Sequence, residues 1–197
     1  MTERPRAAWL LRAFAILALL GSLSGCGVNT LPELDEQVKA TWGQVENQYQ
    51  RRADLIPNLV ATVQGYAKHE QSTLQAVTEA RAKVGSIKID NPAQLQAFVQ
   101  AQDQLSSALS RLMVVSEQYP ELKADQQFLT LQAQLEGSEN RISVARRDYI
   151  EAVRRFNTEL RTFPGVIWAK LLYSDMQAKP SFSAKPGSDD APKVAFQ

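Results

Sequence analysis

Apolar residues between Val38 and Val84 recur in alternating steps of three and four residues. This spacing lines one face of a helix and repeats every seven residues, as in coiled coils. The phase passes through Pro57, whose ring removes a backbone donor and crowds the residue four positions earlier. The pattern therefore predicts one long helix from residue 33 to about Val84, with a kink or short break at the proline.

Two more helices are predicted downstream. Asn91 and Pro92 suit the N-cap and first turn of the second helix, which runs to about Gln118. The third helix begins at Glu121 and ends at Pro164. Because no part of this region alternates between apolar and polar residues as a strand would, the predicted fold class is all-α, a bundle of long helices.

The length of the first helix leaves the number of helices open. An unbroken helix of about 52 residues would span roughly 78 Å, whereas the second helix, of about 27 residues, spans only about 40 Å. A four-helix bundle would need a chain reversal near Asp54 to Pro57. Leu55 and Ile56 are too apolar for a comfortable turn, however, and the heptad phase continues across them. Both arrangements therefore stay open.

The residues after Pro164 predict a short helix followed by a tail. The stretch from Val166 to Tyr173 can form an amphipathic helix that either caps the core or faces a partner or a membrane. Its apolar cluster is Trp168, Leu171, Leu172 and Tyr173. From Ser174 to Gln197 the content of lysine, proline, serine and glycine predicts disorder.

The N-terminus has the features of a secretory signal. Three arginines precede an apolar stretch from Ala13 to Leu20. The segment Leu23-Ser24-Gly25-Cys26 resembles a bacterial lipobox, in which the signal is cut before the cysteine and the thiol receives a diacylglycerol. Cys26 would then carry acyl chains such as palmitate and hold the protein at a membrane surface. The predicted boundaries are a signal peptide at 1–25, a tether at 26–32, a helical bundle at 33–173 and a disordered tail at 174–197.

A transmembrane anchor from Trp9 to Leu23 is the alternative. Arg12 interrupts that segment and leaves only about 11 apolar positions, short of the roughly 20 that a span needs. Lipidation also explains why a mature chain in an oxidising compartment would keep one cysteine. If the cell has two membranes, Gly27 after the cysteine resembles lipoproteins that are passed on to the outer one.

The composition restricts the kinds of functional site that the chain can form. The chain has 22 basic and 21 acidic residues, and removal of residues 1–25 takes away three arginines and one glutamate, leaving a net charge of −1. This balance is not the basic footprint of a nucleic-acid-binding protein. Cys26 is the only cysteine and His69 the only histidine, so we expect neither an internal disulfide nor a conventional zinc site. No cofactor is predicted.

A set of ordered motifs extends from residue 31 to residue 182. The motifs are Arg51-Arg52, Asp54 to Val60, His69-Glu70, Tyr119 to Leu122, Glu139 to Ile142, Ala145 to Arg147, Phe163-Pro164, and Pro180 with Phe182. Together they resemble the LemA family of bacterial envelope proteins. Two features depart from the family pattern: Ile150 stands where asparagine is usual, and a lipobox replaces the usual N-terminal transmembrane helix.

This resemblance implies an elongated, antiparallel, up-and-down bundle of four-helix type on the extracytoplasmic side of a bacterial membrane. It implies no established enzyme activity. It also links the family with envelope partners, including TPM-domain proteins and membrane metalloproteases, and one branch of it with magnetosome membranes. An accessory or scaffolding role is the expectation that follows.

His69-Glu70 invites comparison with the His-Glu-x-x-His motif, in which two histidines one helical turn apart hold zinc. Thr73 occupies the second histidine position, so a metalloprotease site is not predicted. Several charged residues instead fall on or beside the apolar faces, where an unpaired buried charge is costly. We expect Arg-carboxylate pairs between helices, and the alternative is a functional polar site. The candidates for this interhelix polar network are Arg51, Arg52, Asp54, His69, Glu70, Arg81, Glu139, Asn140, Arg146 and Arg147.

The leading hypothesis is a non-enzymatic, lipid-anchored scaffold or accessory protein on the extracytoplasmic face of the cell membrane or outer membrane. The first alternative is a regulatory or substrate-delivery subunit of an envelope protease. An enzyme is the second alternative, and it is disfavoured because the mature chain would have one histidine and no free cysteine.

Overall fold

The computed structural model describes residues 27–87 and 92–182. These residues form an all-α helical bundle with no strand among them, which confirms the predicted fold class. In chain order the helices are α1 (Thr30–Tyr66), α2 (Gln71–Gly85), α3 (Pro92–Ser116), α4 (Pro120–Lys123), α5 (Gln126–Glu159) and α6 (Gly165–Leu171).

Helix α1 is continuous through Pro57 and ends at Tyr66. Buried Ile56 and Leu59 flank the exposed proline, so packing holds both sides of it in helical conformation. The chain reverses at residues 67–70, and Arg81 Nε on α2 then donates a 2.9 Å hydrogen bond to the carbonyl oxygen of Ala53 on α1. Both arrangements left open by the sequence are therefore wrong: the chain does not reverse near Asp54 to Pro57, and no single helix reaches Val84.

The predicted third helix is divided in two. Helix α4 ends at Lys123, and α5 starts at Gln126. Asp125 Oδ1 accepts a 2.8 Å hydrogen bond from the backbone nitrogen of Phe128, which satisfies a free donor in the first turn of α5. Helix α5 then ends at Glu159, earlier than predicted, and a short helix follows it at α6, as the amphipathic pattern predicts.

The described residues divide into two compact units. The smaller unit comprises residues 27–39 and 152–178, and the larger unit comprises residues 40–87, 92–151 and 179–182. The core of the smaller unit includes Leu31, Val38, Val153 and Phe156. That of the larger unit includes Ile56, Leu59, Val63, Leu105, Leu112 and Phe128.

Both ends of the predicted bundle need correction. Helix α1 begins at Thr30 and buries Leu31 completely, so three residues of the predicted 26–32 tether are helical. At the other end, Phe182 is buried and the carbonyl oxygen of Pro180 accepts a 3.0 Å hydrogen bond from the Tyr149 hydroxyl. The predicted disordered tail therefore starts too early. The signal peptide, Cys26 and residues 183–197 lie outside the described residues.

No helix in the described part of the chain has the length and apolar character needed to cross a membrane.

Candidate functional site

Arg52 lies at the centre of a polar cluster inside the larger unit. Its side chain on α1 is almost completely buried, with the residue 1% exposed. Nη1 donates to Glu139 Oε1 on α5 and, at 3.1 Å, to Ser106 Oγ on α3, while Nη2 donates to Gln102 Oε1 on α3. These four residues, which we call the Arg52 cluster, connect three helices through one guanidinium group.

The sequence places the arginine inside because position 52 follows the same helical phase as the apolar residues of α1. Tyr49 and Ile56, three residues before and four after it, are both buried. A buried guanidinium loses its hydration, and this cost is offset only by good ion-pair and hydrogen-bond geometry. Glu139 supplies the opposite charge and keeps half of its own side chain in solvent, at 50% exposed.

An aromatic group lies next to this cluster. The Arg52 guanidinium carbon is 5.3 Å from the centre of the Tyr49 ring, and the Tyr49 and Phe98 rings meet edge to face at 5.1 Å. Burial raises the pKa of Tyr49, and the positive charges of Arg146 and Arg52 partly oppose that rise. The tyrosine therefore stays neutral and serves as a packing surface for the cation.

Phe182 completes the aromatic group from the far end of the described chain. Its ring stacks on Trp42 at 6.1 Å and meets Tyr149 edge to face at 5.5 Å. The Arg146 guanidinium carbon lies 4.4 Å from the centre of the Phe182 ring. Arg146, predicted as a polar-network residue, thus takes part in a cation-π contact.

The ten predicted network residues do not form one site. Arg52 and Glu139 pair directly, whereas Glu70 accepts a 3.0 Å hydrogen bond from the Tyr119 hydroxyl and Arg81 contacts a backbone oxygen. The hydrogen bond to Glu70 raises the pKa of Tyr119. The remaining predicted residues are exposed, namely Arg51, Asp54, His69, Asn140 and Arg147.

Two of these exposed residues have local contacts on their own helices. Asp54 Oδ1 accepts a 2.7 Å hydrogen bond from Gln50, and Arg147 is 3.6 Å from the carboxylate of its neighbour Asp148. Neither contact joins two helices. The prediction of a single polar network across the bundle is therefore wrong for these positions.

Sequence reasoning missed two members of the Arg52 cluster. Gln102 lies on the apolar stripe of α3, between buried Phe98 and Leu105, and a polar residue at such a position signals a buried partner. Ser106, one turn after Gln102, gave no comparable signal. An amide and a hydroxyl supply acceptors without adding charge, so the cluster needs only one carboxylate.

Open grooves flank the cluster on the larger unit. One of 280 Å³ is lined in part by Tyr49, Gln102 and Arg81, and one of 290 Å³ by Ser106, Glu139 and Leu135. A third, of 480 Å³, follows α1 and α5 and is lined by Thr41, Gln44, Gln48, Asn140, Arg141, Val144, Ala145 and Asp148. These grooves are surface channels between helices rather than enclosed cavities.

The chemistry of the cluster is that of an interhelix clamp. Its one carboxylate is engaged by the arginine, and its other members are an amide and a hydroxyl. Among the residues that the structure describes, no group of three or more histidine, cysteine, aspartate and glutamate side chains could hold a metal ion. His69 lies exposed in the turn between α1 and α2.

Comparison with known proteins decides the family. The model of the LemA family matches residues 41–196, which is most of the chain. The chain belongs to the LemA family. The Arg52 cluster and the aromatic residues that contact Phe182, namely Trp42 and Tyr149, lie within the matched region.

Individual relatives agree with this assignment. The chain is 25% identical over 135 residues to the protein LemA of Metamycoplasma hominis, covering 68% of this chain and 60% of that protein. It is 27% identical over 183 residues to the magnetosome proteins MamQ 1 and MamQ 2 of Paramagnetospirillum magneticum, covering 82% of this chain and 66% of each. The chain therefore spans less than two thirds of the length of these relatives.

Proposed function

We propose that the protein is a lipid-anchored scaffold of the bacterial cell envelope, held at a membrane through Cys26 and presenting its helix faces to other proteins. It acts without catalysis of its own. The observation that carries this function is the lipobox-like Leu23-Ser24-Gly25-Cys26 directly before a helical unit that begins at Thr30. Membership of the LemA family supports association with the envelope membrane.

The described structure supports a scaffold because polar side chains of different helices pair with one another at two places in the larger unit. Arg52 bonds to residues of α3 and α5, and Glu70 bonds to Tyr119. Such pairs fix helix alignment, which is what a rigid surface for binding needs. Similarity to proteins named as magnetosome proteins supports a location at a bacterial membrane.

The anchor is tested by intact-mass analysis of protein extracted from membranes, with Cys26→Ser beside the wild type. We expect a mature species that starts at Cys26 and carries two or three acyl chains, and we expect the substitution to abolish it. A chain that keeps residues 1–25 without acyl groups would contradict lipidation and indicate a transmembrane anchor.

The partner we propose is another envelope protein, either a TPM-domain protein or a membrane metalloprotease. A photo-crosslinking residue at Val144 on α5, with Val114 on α3 as a second position, samples two faces of the larger unit, where these side chains are 48% and 67% exposed. A crosslinked product of one mass at one of the two positions, dependent on Cys26, supports the scaffold. Equal, diffuse products at both positions would contradict a specific binding face.

A further inference from the structure

Exposed apolar side chains concentrate in one short segment of the smaller unit. Among the described residues, four of the nine exposed large hydrophobic side chains lie between residues 163 and 172. They are Phe163 at 80% exposed, Ile167 at 41%, Leu171 at 71% and Leu172 at 58%. We call these four residues the α6 patch. Single exposed apolar residues are ordinary, but a group of them in one segment marks a surface that a membrane or another molecule covers.

The α6 patch is held in place by regular backbone structure. The backbone nitrogen of Val166 donates to the carbonyl oxygen of Thr162 at 2.8 Å, and that of Leu172 donates to Trp168 at 2.9 Å. Ile167 and Leu171, four residues apart on α6, therefore share one face of the helix. The α6 patch therefore lies on hydrogen-bonded backbone.

The start of the described chain lies against this same segment. Gly27 has a φ of 106°, a conformation that glycine adopts readily, and a Cβ placed on it would be 3.4 Å from Pro164 Cγ and 3.8 Å from Trp168 Nε1. The residue that follows Cys26 thus lies next to Pro164, directly before α6, and next to Trp168 within it.

Only three residues, 27–29, separate Cys26 from the start of α1 at Thr30. A fully extended chain advances at most about 3.6 Å per residue, so even a stretched linker of this length reaches only about 11–14 Å. A membrane anchor at Cys26 therefore brings the bilayer surface within reach of α6. Because the linker is so short, the smaller unit cannot stand far from the membrane.

We propose that the α6 patch inserts into the interfacial region of the bilayer to which the protein is anchored. This inference rests on the proposed membrane anchor at Cys26. The occupant of the patch is the boundary between lipid headgroups and acyl chains, where amphipathic helices bury their apolar face by about 5–10 Å. Exposed Arg161 and Lys170 lie in the same segment and suit the anionic headgroups of that boundary. The lipid and the α6 patch would together fix the orientation of the smaller unit on the membrane.

The test places a polarity-sensitive thiol probe on the full-length protein in vesicles of phosphatidylethanolamine and phosphatidylglycerol. Leu172→Cys carries the probe on the patch, and Val114→Cys, of similar exposure, carries it on the larger unit. Acylated Cys26 has no free thiol, so the wild type should take up no probe. This labelling control, together with intact mass, reports the anchor separately from the patch.

We expect nitroxides on the lipid acyl chains to quench the probe at position 172 and to leave the probe at position 114 unaffected. A water-soluble quencher should quench the probe at position 114 more strongly than the probe at position 172. Adding Leu171→Asp to the Leu172→Cys protein should restore access of the water-soluble quencher to the probe, whereas adding Val144→Asp should not. Circular dichroism would establish that these variants fold.

Equal access of the aqueous quencher to both probes, on protein shown to be acylated, would overturn the inserted patch while leaving the anchor intact. A probe at position 172 that is shielded from water yet not quenched by the acyl-chain nitroxides would also overturn it, since a protein surface would then cover the patch. Labelling of wild-type Cys26 would instead contradict the lipid anchor, and with it the basis of the inference.

Discussion

The pair between Arg52 and Glu139 gives the sharpest test of the bundle interior. Glu139→Ala removes the carboxylate and leaves the buried guanidinium with Gln102 and Ser106. Breaking a fully buried ion pair costs about 3–5 kcal/mol, and a hydrogen bond to a charged group contributes about 1.5–3 kcal/mol. Because half of the Glu139 side chain is exposed, water screens the pair, and we expect a loss of about 2 kcal/mol.

The assay is thermal unfolding in mild detergent, monitored by circular dichroism. A loss of this size corresponds to a fall in Tm of about 4–8 °C for a chain of this length. The matched control is Glu136→Ala on the same helix, where the exposed carboxylate accepts a 3.1 Å hydrogen bond from Gln132. Glu136→Ala should change the free energy of unfolding by less than about 0.5 kcal/mol. Both variants replace glutamate by alanine on α5, so both gain the same helix propensity and the difference between them reports the ion pair. Equal effects of the two substitutions would refute the role given to the cluster.

A second pair of variants separates the charge from its acceptors. Arg52→Met leaves the amide oxygen of Gln102 buried without a donor, which costs about 1–3 kcal/mol. Adding Gln102→Leu removes that orphaned group, so the double variant should be more stable than Arg52→Met alone. If the second substitution adds to the damage instead, the two side chains are not coupled in the way the hydrogen bond indicates.

Three other perturbations test separate parts of the fold. Phe182→Ala should destabilise by about 3 kcal/mol in thermal unfolding because it opens a cavity beside Trp42. Gly165→Ala should cost about 1–3 kcal/mol, since its Cβ would overlap the carbonyl oxygen of Glu159, while Gly43→Ala, with open space around it, should gain about 1 kcal/mol in the same assay. Asp125 has a lowered pKa, chiefly because the Phe128 backbone nitrogen donates a hydrogen bond to its carboxylate. Its contribution to the free energy of unfolding is therefore fully present above the ordinary pKa of 3.8 and is lost as the pH falls through the lowered pKa. Asp125→Asn should flatten this acid-side loss in unfolding measured across that range.

Periodicity was sufficient to predict the helices but not every place where they end. The apolar phase of α1 and α2 is continuous across residues 67–70, because buried Val63, Ala67 and Leu74 keep their spacing while the chain reverses. A heptad pattern shows which side chains face the core. It looks the same for one long helix and for two consecutive helices that pack against each other, so it does not locate the reversal between them. Pro57 led to the converse error. A proline inside a helical pattern usually indicates a break, but here the packing of the residues on both sides of it keeps the helix continuous.

The site was partly predictable for a related reason. Arg52 and Glu70 were found because they are charged residues on apolar phases, and both have partners across the bundle. Motif membership alone was a weaker guide, since Arg51, Asp54 and Asn140 belong to motifs and yet are exposed. Phe182 belongs to one of the motifs that resemble the family, but its burial was not predicted because the composition of the residues around it favours disorder. The packing of its ring on two other aromatic rings outweighs that local tendency.

Burying an arginine is not the way to gain the most stability, because an apolar side chain of similar volume avoids the desolvation cost altogether. The position of Arg52 is better explained by its effect on how the helices align along one another. Long helices with a seven-residue repeat can slide past one another by one repeat and keep apolar residues facing apolar residues. Only one alignment places the guanidinium of Arg52 opposite both Gln102 and Glu139, so every shifted alignment leaves a buried charge without its carboxylate. A larger loss of stability in Glu139→Ala than in Glu136→Ala is what this account requires.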